Sequence, residues 1–307
     1  MSCGIGNGEP VFVLPKLNSC LLSFRPAVVT VRTVLRQNPL NYARAIICNY
    51  HQHYFPSIRG EAFYFLGTEK QMRIRTSVAD IFSKPDSGSE RISQLIWGEQ
   101  VEVIEPGVEF SLVRCVDGVE GYVKSALIAD SPVPTLKLTR HQPAKGMTFS
   151  FGSYLTESEV QAYSIPRRYV VPISKRFTPV DLASRFLGVP YLWGGTSDFG
   201  FDCSGFTQRL FRFSGIEIPR NSYEQRDASK DVGKLSDAVR GDLIFFKGHV
   251  AIYLGKGRII HANGHFSRVS YTDLFDGNAY SHYLLSNIEK VGRFRADSAQ
   301  KELSTNK

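Results

Sequence analysis

The stretch from 200 to 263 constrains this chain most: a cysteine stands where a helix should open, and two glycine-bounded strands follow, each with one histidine. Cys203-Ser-Gly-Phe-Thr-Gln-Arg-Leu-Phe-Arg-Phe sets Phe206, Leu210 and Phe213 at helical spacing, and Asp202 before it suits an N-cap. His249-Val-Ala-Ile-Tyr-Leu-Gly is rich in β-branched and aromatic residues and reads as a strand. The Gly255-Lys-Gly turn and Arg258-Ile-Ile-His261 follow, which predicts that the two histidines lie on neighbouring antiparallel strands. Such a chain must bring a helix N-terminus to an antiparallel sheet.

The residue types suit thiol chemistry. A thiol is only a few per cent ionised at neutral pH and needs activation. The helix N-terminus is expected to lower the Cys203 pKa, and His249 is placed to take its proton. His261 is expected to hydrogen-bond the far nitrogen of His249 and fix its tautomer. Taken singly, a cysteine is more often a small core residue and a histidine a structural group. The ordered set carries the weight.

Leu187-Gly-Val-Pro-Tyr-Leu-Trp-Gly-Gly, Gly200-Phe-Asp-Cys-Ser-Gly-Phe, Ile218-Pro-Arg, Gly241-Asp-Leu-Ile-Phe-Phe, Gly248-His-Val-Ala-Ile-Tyr-Leu-Gly and Ile260-His-Ala together resemble the NlpC-type, papain-like cell-wall cysteine peptidase family, from about Thr178 to Ile288. The resemblance implies that Cys203 is the nucleophile, His249 the general base and His261 the orienting residue. It implies that Tyr191 assists at the oxyanion, beside the Cys203 backbone N–H. Trp193, Gly194 and Gly195 would shape the cleft wall, and Arg220 would join the substrate-binding set. The implied substrates are peptidoglycan stem peptides, cut through a thioester between D-glutamate, linked through its side chain, and a diamino acid. Amidase or acyltransferase chemistry on the same scaffold, or a non-catalytic wall-binding protein, are the competing readings.

Upstream, Gln100-Val-Glu-Val-Ile and Ser111-Leu-Val-Arg-Cys-Val alternate between Pro/Gly turns and predict a small all-β barrel. Ser89-Glu-Arg-Ile-Ser-Gln-Leu, Trp97-Gly-Glu-Gln-Val-Glu-Val and Glu120-Gly-Tyr-Val resemble a bacterial SH3-like domain, and the segment with Phe151-Gly-Ser-Tyr-Leu resembles a second, degenerate copy. The expected class is therefore α+β: helices packed on an antiparallel sheet, preceded by small all-β SH3-like barrels. The expected boundaries are 72–129 and 130–177 for the SH3-like domains, 178–295 for the peptidase domain and 296–307 for a tail. Residues 1–71 are expected either to be disordered or to be a non-native extension ahead of a start at Met72.

In a subgroup of the family, such domains close one end of the groove, and the aspartate before the nucleophile holds a free N-terminal amine. By resemblance Asp202 takes that role and Ser204 binds the glutamate carboxylate, although Asp202 also suits a cap. Two positions depart from the pattern. Phe82 lacks the hydroxyl of the tyrosine expected in the barrel loop, and Pro219-Arg220-Asn221 lacks the aspartate that often follows the arginine.

Composition narrows the partners. A net charge of +8 suits acidic wall peptides, and without a basic helix or RNP-like motif no nucleic acid is expected. No Cys/His spacing suits zinc, so no metal or other cofactor is expected. Five scattered cysteines, Cys3, Cys20, Cys48, Cys115 and Cys203, argue against a disulfide framework. No run is long enough for a membrane span and no signal peptide is evident, so a cytoplasmic or periplasmic location without membrane insertion is expected. The oligomeric state is left open.

Overall fold

The computed structural model describes residues 71–295, together with the antiparallel strands Cys3–Gly6, Glu9–Phe12, Cys20–Arg25 and Val28–Thr33, which pair in chain order. Those strands fall within the segment expected to be disordered or non-native. Its other residues up to 70, and the expected tail from 296, lie outside the described residues. Residues 1–70 and 71–307 form separate units, and the second holds the features below.

The first barrel is a five-stranded antiparallel sheet in the order Arg91–Ile96, Val78–Phe82, Glu120–Lys124, Phe110–Cys115, Val101–Glu105. Strand Gln71–Ile74 pairs with Ile128–Ser131 beside it. Alternation buries Ile74, Ile81, Leu95, Val101, Val113 and Val123 in one core. Phe82 ends a strand rather than standing in a loop, and it is buried edge-on to Phe110 at 6.2 Å.

The following segment is smaller and is not all-β. Strands Tyr154–Leu155, Leu136–Leu138 and Val170–Pro172 form one sheet, Gln142–Ala144 and Met147–Phe149 form a hairpin, and a helix spans Glu157–Ala162. Thr156 caps that helix reciprocally with Glu159, satisfying two otherwise unpaired backbone N–H groups. Its core takes in Trp97 from the first barrel, so the two modules share apolar surface.

The C-terminal region is a six-stranded antiparallel sheet in the order Lys230–Gly233, Ile288–Arg293, Leu243–Phe246, His249–Gly255, Arg258–Asn263, Arg268–Asp273. Strand alternation sends Val250, Ile252, Ile260 and Ala262 to one face, where the helix Cys203–Phe213 packs with Phe206 and Leu210. Ala251, Tyr253 and Ile259 go to the other face, with Leu284 from the helix Ala279–Ser286. Helices on an antiparallel sheet, behind a strand-rich region of SH3-like character, make the fold α+β.

The helix Cys203–Phe213 is buried along its whole length, polar face included. Periodicity would give Gln208, Arg209 and Arg212 to solvent, but the first barrel covers them. Glu99 accepts from Arg209 at 2.8 Å and Arg212 at 3.0 Å, while Asp117 accepts from Gln208 at 2.9 Å and Arg212 at 3.2 Å. From the second module, the buried Lys137 ammonium donates to the Phe213 carbonyl at the helix C-terminus, 2.6 Å away. Both N-terminal modules thus seat the helix that begins at Cys203.

Candidate active site

Asp202 sits in extended backbone and its Oδ1 accepts the Gly205 N–H at 2.6 Å, so the helix starts at Cys203. The Cys203 N–H, at the first helical position, has no acceptor within the helix and remains available as a donor. The Cys203 side chain keeps 8% exposure, and the backbone N–H groups of Val250 and Ser204 are directed at its sulfur. Val250 follows His249 in the strand His249–Gly255.

His249 and His261 lie on adjacent antiparallel strands, and His249 Nε2 is 2.7 Å from His261 Nδ1. With Nε2 engaged, Nδ1 is the His249 nitrogen left for the thiol. On its far side, His261 Nε2 is 3.0 Å from Thr272 Oγ1. His261 is fully buried and Thr272 nearly so.

Electrostatics here differ from the sequence expectation. The helix N-terminus was expected to lower the Cys203 pKa, yet burial, reinforced by the Asp202 carboxylate, pushes the thiol up to about 12. Burial lowers His249 to about 4, with Asp202 pulling the other way. Burial, with His249 and His265 adding to it, holds His261 well below its ordinary value. At neutral pH the site therefore holds a neutral thiol and neutral imidazoles. Activity is expected to rise with pH through about 4, as His249 loses its proton, with no loss from Cys203 ionisation below about 12. The folding consequence has a definite sign. Between about 4 and the unfolded value of 6.5, the unfolded chain binds protons that folded His249 refuses, so stability is full above 6.5 and falls toward pH 4. Melting curves and kcat/KM across pH 3.5–8 check both.

Asp202, Ser204 and Arg220, expected to bind substrate, are hydrogen-bonded to one another. Arg220 is only 3% exposed, and its guanidinium reaches Asp202 Oδ2 at 2.5 Å, Ser204 Oγ at 2.9 Å and Ser93 Oγ at 3.2 Å. Asp202 also accepts from the Gly194 N–H at 3.0 Å and from Ser204 Oγ at 3.2 Å. These donors occupy the carboxylate's lone pairs, and Arg220 neutralises its charge. A ligand ammonium would have to displace Arg220. The trio ties the Gly194 loop to the start of the helix at Cys203.

Tyr191 is half-buried against the core, and burial, with Cys203 and Asp202 adding to it, raises its phenol to about 12. It keeps its proton and can donate. Trp193 is 64% exposed, and its indole N–H donates to Glu90 Oε1 at 2.9 Å. Gly194 has φ +75° and lies so close to the first barrel that a Cβ would stand 2.3 Å from the Arg91 carbonyl oxygen. Arg91 also donates to the Trp193 carbonyl at 3.3 Å, and Gln94 bonds Thr196 and Ser197. The first barrel therefore abuts the nucleophile loop. Glu90, Arg91, Ser93 and Gln94 were not singled out from sequence, since nothing local marks a partner some hundred residues away, and Thr272 meets His261 only through the register of neighbouring strands.

Among the described residues no cluster of three or more His, Cys, Asp or Glu could hold a metal, and Cys115 and Cys203 are free thiols. No helix among them is long and apolar enough to cross a membrane.

Residues 188–288 match the NlpC/P60 family, and residues 81–128 match the bacterial dipeptidyl-peptidase SH3 domain. A Bacillus subtilis gamma-D-glutamyl-L-lysine dipeptidyl-peptidase is 49% identical over 104 residues, 30% of this chain and 35% of that protein. The Escherichia coli murein DD-endopeptidase MepS/murein LD-carboxypeptidase is 41% identical over 97 residues, 27% of this chain and 51% of that protein. The chain thus spans about a third to a half of these curated relatives. A solved NlpC/P60 family protein from Bacillus cereus shares the fold, with a TM-score of 0.59 at 20% identity over 73% of this chain and 99% of that one.

Proposed function

We propose that this chain, which carries an NlpC/P60 cysteine-peptidase domain behind a bacterial SH3 domain, hydrolyses peptidoglycan stem peptides between γ-linked D-glutamate and a diamino acid. The observation that carries the reading is the His249–His261 pair at 2.7 Å on adjacent strands of the sheet against which the helix headed by Cys203 packs. The Bacillus subtilis relative is named for a gamma-D-glutamyl-L-lysine bond, which supports the substrate class.

The chemistry follows from the groups present. Cys203 Sγ attacks the γ-carbonyl carbon as its proton passes to His249 Nδ1. The oxyanion takes hydrogen bonds from the Cys203 N–H and the Tyr191 hydroxyl, both donors in the resting state. His249 then returns the proton to the leaving amine, giving a thioester. Water, activated by His249, hydrolyses that thioester and frees Cys203.

The first barrel against the nucleophile loop supports a groove closed at one end, which suits a peptide with a free N-terminal amine. Asp202 is neutralised by Arg220, so the exposed carboxylate of Glu90, bonded to the Trp193 indole, is assigned the ammonium. The test is L-Ala-γ-D-Glu-diaminopimelate against its N-acetylated form, with products read by mass spectrometry. The free-amine peptide should be cleaved about 100-fold faster, and Glu90→Gln should erase most of that preference. Equal cleavage of both would reject the closed groove. Cleavage of neither would favour acyl transfer or wall binding.

A further inference from the structure

We infer that Thr272 is a positioning residue that permits the productive proton arrangement of the histidine pair by giving the buried His261 N–H an acceptor; the inference rests on the proposed role of His249 as base. Each neutral imidazole carries a single N–H, and Nδ1 of His249 must be bare to accept the thiol proton. His249 therefore holds its proton on Nε2 and donates it to His261 Nδ1, 2.7 Å away. His261 then has its proton on Nε2, which must find an acceptor because the ring is fully buried. Thr272 Oγ1, at 3.0 Å, is that acceptor.

The fold provides the contact through register. His261 pairs with Ser270 in the antiparallel ladder, and Thr272, two residues further along the same strand, is its diagonal neighbour. The opposite proton arrangement is the dead one. If His261 carried its proton on Nδ1, it would donate to His249 Nε2, leaving the His249 proton on Nδ1 against the thiol with no lone pair to receive another. A hydroxyl at 272 supplies the acceptor that the productive arrangement needs. It also faces the imidazolium that forms when His249 takes the thiol proton and shares it with His261.

Thr272→Val keeps the branched shape and removes the acceptor, while Thr272→Ser keeps the acceptor. The valine variant is expected to lower kcat about tenfold to a hundredfold with KM unchanged, and the serine variant to restore most of it. Nitrogen-15 NMR should find His249 protonated on Nε2 in the native protein and a population protonated on Nδ1 in Thr272→Val. Iodoacetamide alkylation of Cys203 should slow in parallel, and Thr272→Ala serves if the valine variant does not fold. Unchanged kcat, spectra and alkylation in folded Thr272→Val or Thr272→Ala would overturn the inference. The NMR and alkylation readouts need no peptide substrate. A chain inactive on stem peptides that still shows the tautomer change would reject the substrate reading and keep Thr272 in its role.

Discussion

Replacing Cys203 by alanine is expected to lower kcat/KM on stem peptides on the order of 10⁴-fold or more, with the melting temperature little changed. The sulfur is the only atom lost, and the Phe206 and Leu210 contacts that seat the helix on the sheet are untouched. His249→Ala should produce a loss of similar order, because the resting thiol, pushed up to about 12, needs a base during attack. The two losses should not add, since in the proposed mechanism Cys203 and His249 act in a single step. Single-turnover kinetics on the two single variants and the double variant check this.

The largest stability effect is expected at Glu99. Burial alone would push its carboxyl up, yet Arg209 and Arg212 hold it below the ordinary carboxylate range. It also accepts the Ile96 N–H at 2.8 Å, tying the barrel strand to the helix. Glu99→Ala leaves two guanidiniums nearly excluded from water, with Arg209 3% exposed, and should destabilise the chain by about 3–5 kcal/mol. Replacing Glu99 and Arg209 together by methionine should recover much of that, because the Arg209 charge leaves with its partner while Arg212 keeps Asp117 and Glu217. Urea unfolding of the single and double variants measures both. Because the same arginines lie along the helix that opens at Cys203, Glu99→Ala should also weaken activity.

What the sequence disclosed and what it hid have physical reasons. The helix from Cys203 and the strands bearing His249 and His261 were legible because periodicity, an N-cap aspartate and flanking glycines all act within a few residues. The helix Glu157–Ala162 departs from the expected second β copy, although Thr156 and Glu159 form a readable capping pair, because a six-residue helix gives too short a periodic signal to outweigh the strands around it. The raised thiol pKa was not legible. It depends on burial, which comes from the packing of the helix in the core rather than from any local pattern. Asp202 and Arg220 stand 18 positions apart and their ion pair leaves no pattern, so both were read toward a ligand. Thr272 reads as an ordinary β-branched strand residue, and only the sheet register brings it to His261.

The most direct test of the catalytic assignment is to treat the protein with a γ-D-glutamyl peptide analogue bearing a thiol-reactive carbonyl in place of the scissile amide, and to map the adduct by peptide mass spectrometry. A single adduct on Cys203, lost in His249→Ala and absent from the buried Cys115, is the expected result. Labelling of Cys115 at the same rate, or a Cys203 adduct that forms equally fast without His249, would contradict the assignment.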